Sequence, residues 1–101
     1  MSVPNDRPYL SIVIPAYNEA RRLPQTLASI RTYLAAQSFA AEVLVVDDGS
    51  SDATATLAEA CPDVRVLRRE HRGKGFAVRA GALAAHGDYV LLCDADLAVP
   101  I

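Results

Sequence analysis

Four short apolar runs punctuate the chain: Leu10 to Ala16 (LSIVIPA), Glu42 to Val46 (EVLVV), Val64 to Leu67 (VRVL) and Tyr89 to Cys93 (YVLLC). They scarcely alternate with polar residues. A strand with one wet face alternates, whereas a strand covered on both faces reads as a continuous apolar run. Helical stretches separate these runs. Arg21 to Gln37 carries Leu23, Leu27, Ile30 and Leu34 at three- and four-residue steps, and its Pro24 is tolerable within a first turn. Ala53 to Ala60 follows Ser51 and Asp52, either of which can cap it, and Pro62 ends it. Phe76 to His86 is Ala-rich, with Gly87 placed as a C-cap. Buried strands alternating with helices predict an α/β fold, a Rossmann-like three-layer sandwich around a parallel sheet.

Right-handed crossovers put every strand's carboxyl end on one edge of such a sheet. Ligands bind at that edge, where the strand order reverses. For the order 3-2-1-4 this point lies between the first and fourth strands. The sequence delivers Tyr17, Asn18 and Glu19 there from the first strand, Asp47 and Asp48 from the second, and Asp94 and Asp96 from the fourth. Asp94-Ala95-Asp96 sets two carboxylates one residue apart at a strand tip. Hard cations such as Mg²⁺ and Mn²⁺ take oxygen ligands, and Mg²⁺ is usually held by one or two carboxylates plus substrate phosphates. An edge this acidic repels phosphate unless a cation intervenes, so the pattern predicts a metal–phosphate site. The alternative is a solvated turn with two ordinary Asp residues.

The basic loop His71 to Gly75 (HRGKG) precedes the third helix. Helix N-termini attract anions, and Gly73 and Gly75 let a ligand approach the backbone. Lys74 or Arg79 can reach a diphosphate, whereas Arg72 reads as a solvated charge. GKG lacks the P-loop spacing, and no Gly-x-Gly-x-x-Gly follows the first strand, which argues against a dinucleotide cofactor. Asp47-Asp48-Gly49-Ser50 reads either as a turn and cap or as a carboxylate for a nucleobase N–H or a ribose hydroxyl. His71 and His86 read as surface residues. No Cys or Ser is placed beside a His and an acid, so nucleophilic catalysis has no support.

At 101 residues, half of them hydrophobic, the chain fits one small domain. A net charge of −2 without a basic block argues against nucleic-acid binding. Cys61 and Cys93 show no paired or metal-type spacing and read as free thiols of a reducing compartment. The first eight residues are polar and are expected to be disordered, with the domain spanning residues 9–101. No apolar leader is visible, and no run approaches the ~20 residues that span a bilayer. A cytoplasmic location follows.

Taken in order, IVIPAYNEA, EVLVVDDGSSDAT, HRGKGFAVRAG and GDYVLLCDADLAVPI resemble the N-terminal half of a family-two glycosyltransferase of the glycosyltransferase-A fold. The subgroup they most resemble is the polyprenyl-phosphate (dolichyl-phosphate) hexosyltransferases, and GKGFAVRAG and DADLAVPI lean towards the β-glucosyltransferase type. The resemblance covers about residues 10–101. It implies that Pro15, Tyr17 and Glu19 line a nucleotide pocket and that Asp47 or Asp48 binds the base or ribose. Lys74 and Arg79 would sit near the diphosphate. Asp94 would lie by the donor sugar or ribose and Asp96 would be the principal ligand of a Mg²⁺ or Mn²⁺ ion; the two are the implied catalytic residues. The implied reaction inverts the sugar through direct attack by an acceptor oxygen. The implied donor is UDP-glucose ahead of GDP-mannose, and the implied acceptor is a polyprenyl phosphate met at the cytosolic face of a membrane.

Family members continue well past the Asp-x-Asp, so the chain is expected to be a truncated donor-binding half, weak or inactive in transfer by itself. A different class of reading is a stand-alone nucleotide-binding or assembly module that dimerises through an exposed fourth strand. A haloacid-dehalogenase phosphatase also uses a strand-end Asp-x-Asp, but on its first strand and with a Gly-Thr soon after, which Leu97-Ala98-Val99-Pro100 does not supply. A nucleotidyltransferase would show a glycine-rich stretch where PAYNEA stands.

Overall fold

The computed structural model describes residues 7–95. Four strands and three helices alternate: β1 (Leu10–Ala16), α1 (Leu23–Ala35), β2 (Ala41–Asp48), α2 (Thr54–Glu59), β3 (Val64–Arg69), α3 (Lys74–Ala84) and β4 (Tyr89–Leu92). Every pairing is parallel and the order is β3-β2-β1-β4, as the sequence predicts. Pro24 sits in the first turn of α1, where its missing N–H leaves no helical bond unmade.

The pleat divides the sheet's residues between two cores. Ile12, Ile14, Val43 and Val45 face α1 and α2 and pack with Leu23, Leu27, Ile30 and Ala58. Val13, Leu44 and Val46 face α3 and meet Ala77. Each fully buried Val, Leu or Ile contributes about 1.5–3 kcal/mol of transfer free energy, so these two central strands dominate the stability of the fold. On the second face, α3 comes so close that a Cβ on Gly81 would lie 2.3 Å from Val13 Cγ1.

Several boundaries depart from the sequence reading. β2 does not break at Asp47: both aspartates stay in the ladder, with Asp47 opposite Ala16 and Arg68, and Asp48 opposite Arg69. Pairing on both sides overrides the turn preference of Asp, and the chain turns only at Gly49, whose φ is +73°. β3 is longer for the same reason. α3 starts at Lys74 rather than Phe76, directly after Gly73 at φ +102°. Asp52 serves α2 from one residue before its cap position, accepting from Thr54 N at 2.9 Å and from the Thr54 hydroxyl.

Gly87 is not a left-handed C-cap; Ala85, in extended geometry, ends α3. Gly87 is instead required by proximity, since a Cβ there would stand 2.7 Å from Ser11 N. β4 differs most from expectation. It pairs with β1, yet Tyr89, Val90, Leu91 and Leu92 are all exposed. Its apolar run matches a strand covered on both faces, but no described element covers it. Arg7 pairs with Asp88, and Pro8 O accepts from Asp88 N at 3.2 Å. The remainder of the N-terminal segment expected to be disordered lies outside the described residues.

The amino edge of the sheet is held by Glu42. It accepts from Ser11 Oγ (2.5 Å), His86 N (2.6 Å) and Arg65 Nη1 (3.0 Å), tying β1, β3 and the α3–β4 connection to β2. Burial alone would raise the Glu42 carboxyl, but these donors outweigh it and hold it below its ordinary value.

Candidate functional site

The carboxyl edge carries a cavity of about 400 Å³ at the β1–β4 reversal, lined by Pro15, Tyr17, Glu19, Asp48, His71, Lys74 and Asp94 among others. Its volume is that of a small-molecule site. Two loops frame it. Asn18, in the left-handed region at φ +53°, accepts through Oδ1 from Ser51 N (2.8 Å) and Asp52 N (3.3 Å), while its own N–H donates to Ser50 Oγ. Glu19 N donates to Thr54 Oγ1 at 2.9 Å. The loop after β1 is thereby clasped to the loop after β2, which fixes Tyr17 and Glu19 at the cavity wall.

Asp94 is held from both sides. Cys93 N donates to Val13 O, and buried Ala95 O accepts from Thr26 Oγ1 at 2.7 Å. Between these anchors the Asp94 carboxylate meets Lys74 Nζ at 2.7 Å. Burial, with Asp94 adding to it, pushes the Cys93 thiol above its ordinary value, so it stays protonated and is no nucleophile.

Asp47 and Asp48, which the sequence leaves interchangeable, part company because adjacent residues of a strand face opposite ways. Asp47 is buried on the α1–α2 side, does not line the cavity, and accepts from Ser50 N at 3.1 Å while its Oδ1 has no partner among the described residues. Asp48 lines the cavity, and its carboxylate gathers the basic loop: Arg72 N at 2.8 Å, Gly73 N at 3.0 Å and His71 Nδ1 at 3.0 Å. Arg79 lies apart, in a neighbouring cavity of about 420 Å³ with Arg69, Arg72, Phe76 and Leu83. Asp96 lies outside the described residues.

His71 is exposed, as the sequence reads it, but it also lines the cavity. Its ring stacks on Tyr17 with centroids 4.1 Å apart and planes 22° from parallel. The signal was topological: with order 3-2-1-4, the loop leaving β3 must cross the tip of β2 to reach the reversal point. The first residues of HRGKG are therefore bound to pass Asp48.

The donor set suits a hard cation only in part. Among the described residues no group of three or more His, Cys, Asp and Glu could hold a metal. Asp94 is a partly exposed carboxylate with Oδ2 unpartnered among those residues, and one or two carboxylates with substrate phosphates suffice for Mg²⁺.

The sequence matches Glycosyl transferase family 2 across residues 11–101. The chain belongs to this family. Among its family 2 relatives it is 46% identical over 99 residues to a dolichyl-phosphate beta-glucosyltransferase of Drosophila melanogaster, covering 86% of this chain and 30% of that protein. It is 40% identical over 105 residues to the enzyme of that name from Dictyostelium discoideum, covering 92% of this chain and 32% of that protein. The chain thus spans about a third of the length of the curated relatives it matches. The mannosyltransferase PcManGT of Pyrobaculum calidifontis, solved with GDP-Man and Mn²⁺, superposes with a TM-score of 0.79 at 32% identity, over 97% of this chain and 30% of that one. Glucosyl-3-phosphoglycerate synthase of Mycobacterium tuberculosis, solved with UDP, gives 0.75 at 32% identity over 89% and 34%. The family 2 sheet is accordingly that of the glycosyltransferase-A fold.

Proposed function

We propose that this chain is the donor-binding half of a metal-dependent, inverting glycosyltransferase. It would bind a nucleoside-diphosphate hexose, UDP-glucose ahead of GDP-mannose, for transfer to a polyprenyl phosphate. The observation that carries this reading is the Lys74–Asp94 pair at the sheet's reversal point, 2.7 Å apart on the cavity wall. It brings a phosphate-binding cation and a metal-binding carboxylate together. Without ligand they neutralise each other. A metal–diphosphate pair can replace both partners at once, phosphate on Lys74 and cation on Asp94 with Asp96, without leaving a charge unmatched.

The nucleoside end would lie by Tyr17, Pro15 and Glu19. The diphosphate would lie by Lys74 at the first turn of α3, whose N-cap is Gly73. Mg²⁺ or Mn²⁺, when bound, supplies Lewis-acid stabilisation of charge on the leaving nucleoside diphosphate. An acceptor phosphate oxygen attacks the anomeric carbon as the sugar–diphosphate bond breaks, which inverts the centre. That oxygen is already ionised, so no base from this chain is required. The names of the Drosophila and Dictyostelium relatives support a glucosyl donor and a dolichyl-phosphate acceptor, and the neighbours' UDP, GDP-Man and Mn²⁺ support a metal–nucleotide pair.

Calorimetric titration with UDP, UDP-glucose, GDP and GDP-mannose, with and without Mn²⁺, tests the reading. Metal-dependent binding of one nucleotide family, lost in Asp96→Asn, is expected. Binding of none of them refutes it, and rapid glucose transfer by the isolated chain refutes the half-site part.

The exposed residues of β4 favour one second reading, an assembly module that pairs through this edge. Concentration-dependent dimerisation without nucleotide binding would support that reading instead.

A further inference from the structure

The exposed side of α3 is unlike that of an ordinary surface helix. It shows Lys74, Gly75, Phe76, Arg79, Ala82 and Leu83 to solvent, and the helix carries no acidic residue. Phe76 is 56% exposed and Leu83 76%, although both are large and apolar. They stand two turns apart on one side of the helix, with Arg79 between them. Beside them runs the cavity of about 420 Å³ that α3 shares with the end of β3. Arg79 stands on its α3 wall and Arg69 on its β3 wall, and neither forms an ion pair with a described residue. Arg72 lies over the Phe76 ring, 5.6 Å from its centroid. The two carboxylates of this cavity are already committed, Glu70 to Arg72 Nη2 at 3.1 Å and Asp48 to the backbone N–H groups of Arg72 and Gly73. A chain of net charge −2 thus gathers guanidinium groups around exposed apolar side chains on one face.

We propose that this face is a membrane-docking surface: it lies on an anionic bilayer, with Phe76 and Leu83 entering the headgroup layer and Arg69 and Arg79 on the lipid phosphates. The composition selects this partner. A basic surface with protruding Phe and Leu binds the interface of anionic lipids by apolar burial together with electrostatic attraction. Guanidinium groups fork onto phosphate oxygens while their methylene stems stay on apolar surface. With its carboxylates committed, the groove offers donors and apolar area, which matches phosphates over hydrocarbon better than the mixed donors and acceptors of a protein surface. The surface is distinct from the β1–β4 cavity, sharing only Asp48 and Ala77 with its lining, and the proposal does not depend on the donor-site reading.

Vesicle co-sedimentation without nucleotide or metal tests this, with phosphatidylcholine alone and with phosphatidylcholine mixed with phosphatidylserine. The chain should bind the mixed vesicles, release as salt rises, and not bind phosphatidylcholine alone. Arg69→Gln and Arg79→Gln should each weaken binding about fivefold, and Leu83→Ser should weaken it at every salt concentration. The chain has no Trp, so a single introduced indole reports which face meets the lipid. Emission of Leu83→Trp should shift to the blue on mixed vesicles, and that of Leu91→Trp, on exposed β4, should not. Equal binding to phosphatidylcholine, binding that survives in the Arg69→Gln/Arg79→Gln double variant, or a shift at position 91 in place of 83 overturns the inference. So does an absence of binding to mixed vesicles, and self-association lost in Leu83→Ser would then assign the face to a second copy of the chain. None of these outcomes bears on nucleotide binding.

Discussion

Gly81 and Gly75 lie in the same helix, and Ala at the two positions is expected to act with opposite signs. In a helix interior Ala is favoured over Gly by roughly 1 kcal/mol, so propensity alone predicts that both substitutions stabilise. At Gly75 nothing lies within 4 Å of the added Cβ, so the propensity gain stands. At Gly81 the Cβ would sit 2.3 Å from Val13 Cγ1 and 3.0 Å from Val46 Cγ2. Neither valine can yield easily. Both are fully buried, and a β-branched side chain has few alternative rotamers. Relief must come from shifting α3 off the sheet, and overpacking of this kind typically costs about 1–3 kcal/mol. The clash wins, leaving Gly81→Ala up to about 2 kcal/mol less stable than wild type after the propensity gain is offset. For a domain of this size that is a fall in Tm of up to roughly 16 °C, whereas Gly75→Ala rises by up to about 8 °C. Thermal unfolding followed by circular dichroism, with urea unfolding as a second measure, reads both. A Gly81→Ala variant more stable than wild type would show that α3 does not pack this closely on β1 and β2.

Three further outcomes follow from named contacts. Glu42→Gln should destabilise the chain by about 1–2 kcal/mol at neutral pH through its lost charge-assisted bonds. Because the Glu42 carboxyl is held below its ordinary value, its contribution is present above the ordinary glutamate range and lost as the pH falls through and below it. The two proteins should therefore converge in stability in acid, and a gap that persists there would count against the network. Gly49→Ala meets both a positive φ and a backbone clash with His71, so it should lower Tm and weaken nucleotide binding together. Wild-type affinity in that variant would mean His71 is not held where the clash implies. Lys74→Met should weaken UDP binding about tenfold and leave uridine binding unchanged, since Lys74 is assigned to the diphosphate; an equal loss for both ligands would contradict that assignment.

The sheet order and the helices were legible because the apolar runs and three-to-four-residue spacings report burial directly. Pattern does not report which element covers a strand. YVLLC reads as a doubly covered strand, yet Tyr89 to Leu92 are exposed here because no described element packs on them. Local turn preference also misleads inside a ladder. Asp47 and Asp48 look like a turn, but pairing with β1 and β3 keeps them extended. At the site, strand ends placed Tyr17, Glu19, Asp48 and Asp94 at one edge. Which of two adjacent aspartates faces the cavity is set by the pleat's phase, which no motif states. Arg79 looked close to Lys74 in sequence, yet five helical residues carry it to the adjacent groove, and His71 was hidden because its partners are 54 and 23 residues away.

The central claim is that the cavity between β1 and β4 holds a metal–nucleotide pair. Paramagnetic broadening tests it most directly: Mn²⁺ is added to ¹⁵N-labelled chain with and without UDP. The account predicts UDP-dependent loss of the amide signals of Asp94, Ala95, Lys74 and Tyr17, with Glu42, Arg65 and His86 at the opposite edge spared. Broadening centred on that opposite edge, or none with UDP present, would contradict it.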